Sequence, residues 1–460
     1  MSHTSRGCEP PIFQIDLSLP PSSRYIALAT QYQQQLRELM PLFSGLLEDV
    51  GVPLSLIPVV QRMAKLLLRR VHNYEENLEL QGISKAAQVP MYLLVAFNVV
   101  LDLLMGCTSG AVRTLEKGQL PHESKMLHFR TLDWDMDSLR KVVVQLEFVK
   151  SASKTPLKVL ARSITYVGFV GVLTGVRCGL SMSLNFRPQH NAVTHMESIW
   201  FHSHNLLVLL GKRRSISSLL RSCLFSDHQG GFGTPLSLGY FAETLPSTAS
   251  TAAYLVFSDG QSAMAIEKDR ISGMVRRSHS FIVMTNHDLD PTPGVKQTKS
   301  SNSTSMLQSI ISESVDRRGC MVEKWKIKVR EEDAKRVIAA EDASAASSLS
   351  SAGPRTRSKR KRQLAACTDR SIAIAHNSTE GHDVFIDRHK AEEGVSLTKS
   401  ELRRWLAAWP TTNECTHFSA ILDPTEGTVV WARQYLEPLE PPNGAQDRGT
   451  LATTINEGAR

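Results

Sequence analysis

AFNVVLDLLMGCTS, residues 96–109, is the joint of the chain. Upstream of it the apolar residues of MYLLVAFNVVLDLLM run too long and too densely for one strand. They read as a helix that follows Pro90 and ends near Leu104. Downstream the period changes. In residues 142–149, Val144, Leu146 and Phe148 alternate with Gln145 and Glu147, the mark of a half-buried strand. Gly106 and Cys107 stand where one pattern gives way to the other.

Working outward, residues 1–106 read as helical after an extended entry. Tyr25, Leu28, Tyr32, Leu36 and Leu39 recur at helical spacing behind Ser22 and Ser23, two residues suited to capping. A second helix is expected over residues 59–70. A third is expected to stop at Gly82, a residue type favoured just past helix ends. Beyond the joint, short β-rich runs fall near 126–131, 180–185, 253–258, 280–285, 417–423 and 428–433. Helical patterning returns near 200–220 and 399–408. Strands mixed with helices in this way predict a layered α+β fold. Two stretches break the pattern. Residues 290–312 are rich in Pro, Ser, Thr and Asn, and residues 333–380 in Ala and Ser; both read as disordered insertions.

Bulk composition narrows the function. The chain has 460 residues, 42% of them hydrophobic, and a formal net charge of +8. The octet RTRSKRKR, residues 355–362, supplies six positive charges, so about +2 is left for everything else. A basic surface spread over the fold is not indicated. The octet alone, without interleaved aromatics, reads as a solvated charge run rather than a phosphate-binding patch, and no nucleic-acid partner is expected. Seven widely spaced cysteines form no C-x-x-C pair, which points to free thiols in a reducing compartment. The first residues show no apolar run behind a basic start. The expected location is therefore intracellular, in the cytoplasm, or a lysosome or vacuole if the true start lies upstream.

Chemistry has to be found in single residues. There is no G-x-S-x-G or H-E-x-x-H, and His195 and His202 near Glu197 lack metal-ligand spacing. A cysteine at a junction such as 106–107 is ordinarily a buried structural thiol. About twenty residues further on comes HFRTLDW, residues 128–134, where Arg130 and Asp133 would leave a strand together and could flank a thiol. An isolated Arg/Asp pair is more often a solvated ion pair.

Taken in order, these segments resemble the acid ceramidase and N-acylethanolamine acid amidase family of N-terminal nucleophile hydrolases. PPIFQIDLSLPPSSRY is similar to the family's entry strand, and AFNVVLDLLMGCTS to its asparagine-containing helix running into Cys-Thr-Ser. HFRTLDWD resembles its Arg-Asn-hydrophobic-Asp motif. YVGFVGVLTGVRCGLSMSLNFR resembles its glycine-rich strand pair, and FIVMTNHD its Thr-Asn-Tyr-Asp motif. VDRRGC resembles its Asp-Arg-Arg motif, and ILDPTEGTVVWAR its C-terminal hairpin.

The resemblance implies a four-layer αββα sandwich with a helical N-terminal segment. It implies that residues 1–106 are released from 107–460 by self-cleavage and stay associated with them. Cys107 matches the nucleophile. Arg130 and Asp133 match the pair that orients the new α-amine and the substrate. Asn286 matches the oxyanion-stabilising side chain, and Arg317 a further active-site arginine. The implied reaction is hydrolysis of an N-acyl lipid amide, ceramide ahead of an N-acylethanolamine, with no cofactor or metal. A transient contact with a membrane surface goes with such a substrate.

This chain departs from the family's pattern at three places. Phe186 replaces the acidic residue of the Leu-Asn-Glu-Arg segment, His287 replaces a tyrosine, and Thr131 replaces an asparagine. Phe186 and the insertion before Arg317 keep open a rival reading, an inactive relative with an interaction role.

Overall fold

The computed structural model describes residues 7–42, 45, 47, 53–100, 106–192, 194–226, 236–289, 305–350, 392 and 394–441. The basic octet lies outside them. Ten helices are described: α1 (Ile26–Gln31), α2 (Gln33–Glu38), α3 (Ile57–Leu67), α4 (Tyr74–Ala87), α5 (Met91–Val100), α6 (His195–Leu209), α7 (Ile216–Leu224), α8 (Leu238–Thr244), α9 (Ser305–Ser350) and α10 (Lys399–Ala407). The strands are β1 (Ile12–Asp16), β2 (Gly106–Thr114), β3 (Lys125–Asp133), β4 (Val143–Val149), β5 (Ala161–Tyr166), β6 (Thr174–Arg177), β7 (Leu180–Phe186), β8 (Ala253–Ser258), β9 (Ala263–Lys268), β10 (Gly273–Ser278), β11 (Phe281–Met284), β12 (Thr416–Asp423) and β13 (Thr428–Gln434).

The strands form two sheets. Five run in the order β11-β2-β3-β12-β13, all antiparallel, and eight in the order β1-β4-β5-β6-β7-β8-β9-β10. Only the β1–β4 pair of the larger sheet is parallel. The sheets meet face to face where β2 and β3 lie against β7 and β8. Outside the larger sheet, α7 packs on β6 and β7, and α8 on β9. Outside the smaller sheet, α10 packs on β3 and β12. This is the αββα sandwich, and its central strands β2, β3, β7 and β8 are buried on both faces. That burial explains why β2, with sequence GCTSGAVRT, shows no alternation of apolar and polar residues. It is also small-residued by necessity: a Cβ on Gly110 would stand 2.2 Å from the carbonyl oxygen of Ile282.

The chain divides into two compact units, residues 1–322 with 396–460, and residues 323–395. Residues 1–106 belong to the first unit. Their strand β1 sits beside β4, and α4 packs on α1, α2 and α5. In the second unit the described residues are chiefly the rest of α9, laced by Lys335–Glu332 and Arg336–Asp333 ion pairs at helical spacing.

Two expectations are corrected. Gly82 does not end the third helix. It lies inside α4, where a Cβ would come within 2.0 Å of the Ser22 carbonyl oxygen; the glycine serves close packing, and Gln88, in the left-handed conformation, closes the helix. Disorder was expected over 290–312 and 333–380, but α9 occupies 305–350. Its run EEDAKRVIAAEDASAASS is rich in Ala, Glu, Lys and Arg, all good helix formers, and a low apolar content does not prevent a helix carried by propensity and side-chain pairs. The remainder of both stretches lies outside the described residues, as does the part of the α5 helix expected beyond Val100. Among the described residues, no helix is long and apolar enough to cross a membrane.

Candidate active site

Strand β2 opens with Gly106 and Cys107, and its register with β3 sets the site. Gly106 lies opposite Asp133, Cys107 opposite Leu132, and Ser109 opposite Arg130. On the other edge of β3, Thr416 of β12 also lies opposite Asp133. The exposed–buried alternation of an ordinary strand is absent here: Cys107, Arg130 and Asp133 are all fully or almost fully buried.

The two ends of Cys107 are held by different partners. Its thiol receives a hydrogen bond from Arg130 Nη2 at 3.2 Å. Its backbone N–H donates to Asn286 Oδ1 at 2.7 Å. Arg130 is itself anchored, since Nη1 donates to the carbonyls of Leu184 (2.6 Å), on the facing sheet, and of Leu173 (3.1 Å), just before β6. Burial pushes the thiol up from its ordinary range, and the Arg130 guanidinium pulls part of that back. The thiol is therefore protonated at neutral pH, with a cation in place to favour the thiolate when it forms.

Asp133 accepts a hydrogen bond from Thr416 Oγ1 at 2.7 Å and lies 3.6 Å from Arg317 Nε. Burial pushes its carboxyl up to about 6, against the pull of Arg317 and Thr416. Arg317 Nη2 also donates to Asn286 Oδ1 at 3.0 Å. With two donors on one side and the Phe186 carbonyl accepting from Nδ2 at 2.8 Å on the other, the orientation of the Asn286 amide is fixed by its partners. Asn286 thus turns its oxygen to the nitrogen of Cys107.

All five sequence-predicted residues, Cys107, Arg130, Asp133, Asn286 and Arg317, are brought together in the first unit. Three more that the motifs did not single out support them. Thr416 holds Asp133. Ser314 Oγ accepts the Asn286 N–H at 2.6 Å. Asn185 accepts from Ser109 Oγ at 2.6 Å and donates to the carbonyls of Met284 and Thr285, tying β2, β7 and the Asn286 segment together. Asn185 could have been found beside the Phe186 departure; Thr416 and Ser314 carry no local signal. Phe186 meets Asn286 through its carbonyl, which any residue would supply. His287, in the tyrosine's place, lies 2.8 Å from Ser314 Oγ, and burial pushes its pKa down.

Around Gly106, an added Cβ would be 3.4 Å from both Asp133 Cβ and Arg317 Nη2, so the bond before Cys107 is wrapped by the same residues. No group of three or more His, Cys, Asp or Glu that could hold a metal is found among the described residues, and no cysteine there is bridged.

Over part of its length the chain is similar to known proteins. A family profile described as the beta subunit of N-acylethanolamine-hydrolyzing acid amidase matches residues 9–72. The acid ceramidase of Mus musculus is 30% identical over 187 residues, 38% of this chain and 45% of that protein. That of Homo sapiens is 28% identical over 194 residues, 40% and 47% of the two chains. The chain thus spans about half the length of the curated relatives it matches. A solved Caenorhabditis elegans ortholog of N-acylethanolamine-hydrolyzing acid amidase aligns over 69% of this chain and 93% of its own, at 16% identity and a TM-score of 0.37.

Proposed function

This chain being related to the acid ceramidase and N-acylethanolamine acid amidase family, we propose that it is an amidohydrolase of N-acyl lipids that makes its own catalyst by cutting the Gly106–Cys107 bond. One observation carries the reading: a single buried residue has its sulfur on a guanidinium and its nitrogen on an amide oxygen. Those are the two atoms an N-terminal nucleophile needs to have placed.

In the scission step the Cys107 sulfur attacks the Gly106 carbonyl carbon. The C–S bond forms, the C–N bond breaks, and the nitrogen takes up the proton that the thiol gave up. Water then hydrolyses the thioester, leaving a carboxylate on Gly106 and a thiol on Cys107. Asp133, opposite Gly106 in the sheet, is the carboxylate assigned to accept and return that proton.

In turnover the new α-amine, with a reference pKa of about 7.7 to 8.0, takes the thiol proton. The thiolate adds to the substrate amide carbon. The α-ammonium returns the proton to the leaving amine, and water hydrolyses the acyl-thioester to a fatty acid. Asp133 and Asn286 Oδ1 hold the α-ammonium, and Arg130 steadies the sulfur. The oxyanion is assigned to the Asn286 Nδ2 group and a backbone N–H; loss of one such donor typically costs about 2.7–4 kcal/mol of transition-state stabilisation.

Ceramide is the preferred substrate, with an N-acylethanolamine as the alternative head group. Residues 1–106 stay bound after scission, since β1 is a strand of the larger sheet. Contact with a lipid surface falls to α3, whose Val59, Met63, Leu66 and Leu67 are exposed among the exposed cations Arg62, Lys65, Arg69 and Arg70, a combination suited to anionic headgroups.

The test is intact-mass measurement of the purified chain beside Cys107→Ala, with both assayed on ceramide and on N-acylethanolamines. Two fragments and amide hydrolysis are expected from the first, one chain and none from the second. A mutant that is still cut, or still hydrolyses lipid amide, would overturn the proposal.

A further inference from the structure

The strongest polar cluster that the mechanism leaves unused lies between the helical segment and the turn joining β5 to β6. Asn98 sits on α5, in the otherwise apolar run MYLLVAFNVV, and is almost fully buried. An amide in that position is costly unless both of its ends are satisfied. They are, and largely by one turn. Asn98 Nδ2 donates to the carbonyls of Gly168 (2.8 Å) and Leu94 (2.9 Å), and Oδ1 accepts the N–H of Val170 at 2.8 Å.

The carbonyl of that same Val170 accepts from Arg221 Nη1 of α7 at 2.7 Å. Arg221 in turn makes a two-pronged pair with Glu79 of α4, at 2.5 Å and 2.7 Å. Arg24 Nη1 reaches Glu79 as well, at 2.9 Å, and Ser218 of α7 donates to Glu76 of α4 at 2.8 Å. Glu76, Glu79 and Arg221 are all buried. Two successive helices of the segment therefore read the backbone of one turn, α5 directly and α4 through Arg221. The turn's shape suits this: Gly168 has a φ of +91°, which favours glycine, and it lies against Leu94 and Leu36 of the segment, whose side chains would meet an added Cβ at 3.4–3.5 Å.

We propose that Asn98 and the Glu79–Arg221 pair form a polar clasp on the Gly168–Val170 turn, and that this clasp retains the helical segment on the catalytic part. The inference rests on the scission reading only in its second half. β1 and the apolar contacts supply area, whereas the clasp supplies directed contacts: separation breaks the charge-assisted Glu79–Arg221 bonds and the bonds of Asn98 to the turn, and removing one partner in place leaves Arg221 or the Val170 N–H buried without its acceptor.

Two measurements test it. In the Cys107→Ala chain, hydrogen–deuterium exchange is compared with and without Asn98→Leu plus Glu79→Gln, which keep approximate size. Amides of α4 and α5 and the Val170 N–H are expected to exchange at least tenfold faster in the variant, while those of β7 and β8 keep their protection. Unchanged protection at α4, α5 and Val170 would overturn the clasp. With Cys107 present, native gel filtration of the cut protein is expected to give one peak holding both fragments for the parent and separated fragments for the variant. Variant fragments that co-elute one to one, as in the parent, would overturn its retaining role. If the parent is never cut, the scission reading fails while the exchange comparison still decides the clasp.

Discussion

At Asp133 the local environment makes a distinction that kinetics can read. Its carboxyl is pushed up to about 6 by burial, with Arg317 and Thr416 only partly offsetting that. The proposed scission would place an α-ammonium beside it, and a nearby positive charge favours the carboxylate. The acid limb of the scission rate is therefore expected near pH 6, and that of lipid-amide turnover at lower pH. Rates of fragment appearance and of product release, measured across pH 4–8, check this; two limbs that coincide would refute it. These residues were legible to different degrees. Cys107, Arg130, Asp133, Asn286 and Arg317 lie in ordered motifs, so the chain advertises them. Thr416 and Ser314 do not, because each acts through one hydroxyl, supplied by strand register for Thr416 and from within α9 for Ser314, and neither leaves a pattern along the chain. The orientation of Asn286, oxygen toward Cys107, was likewise invisible: it is decided by the arrival of Arg317 and by the Phe186 carbonyl in three dimensions.

Among the elements, α3 invites the clearest experiment. Val59 and Met63 lie four residues apart on its exposed apolar stripe. Val59→Glu with Met63→Glu is expected to lower co-sedimentation with vesicles of anionic lipid at least severalfold, and to leave turnover of a short-chain, dissolved amide unchanged. Equal sedimentation of parent and variant would remove α3 from the lipid contact. Strands that alternate, such as β4, could be read from sequence, as could amphipathic helices such as α10. Strand β2 could not, since a strand covered on both sides by layers has no polar face to betray its period. Gly82 misled for a related reason: a glycine that lets a helix touch the Ser22 backbone looks, in one dimension, the same as one that ends a helix.

Over the whole molecule, burial of neutral imidazoles links stability to acidity. His128, between Ser181 and Ser183 (3.0 and 2.8 Å), and His417, bonded to Tyr166 (2.8 Å), are both pushed down to about 3 by burial. The unfolded chain takes up those protons near pH 6.5 and the folded chain does not, so their contribution is whole above 6.5 and is lost as pH falls toward 3. Asp133, Glu76 and Glu267, all pushed up by burial, work in the opposite sense. His128→Gln, which can still bond both serines, is therefore expected to show a smaller fall in Tm between pH 7 and 5 than the parent. Equal falls would refute the assignment.

The parallel pairing of β1 with β4 has one more consequence. If the peptide link at 106–107 is severed, residues 12–16 become a guest in a sheet built by another polypeptide. Were that guest to leave, β4 would turn into an open rim, with a row of amide and carbonyl groups facing water along Val143–Val149. Such rims recruit whatever extended chain is at hand, including further copies of themselves. The small N-terminal strand is thus a guard against self-assembly, and keeping it in place protects the protein as well as completing it.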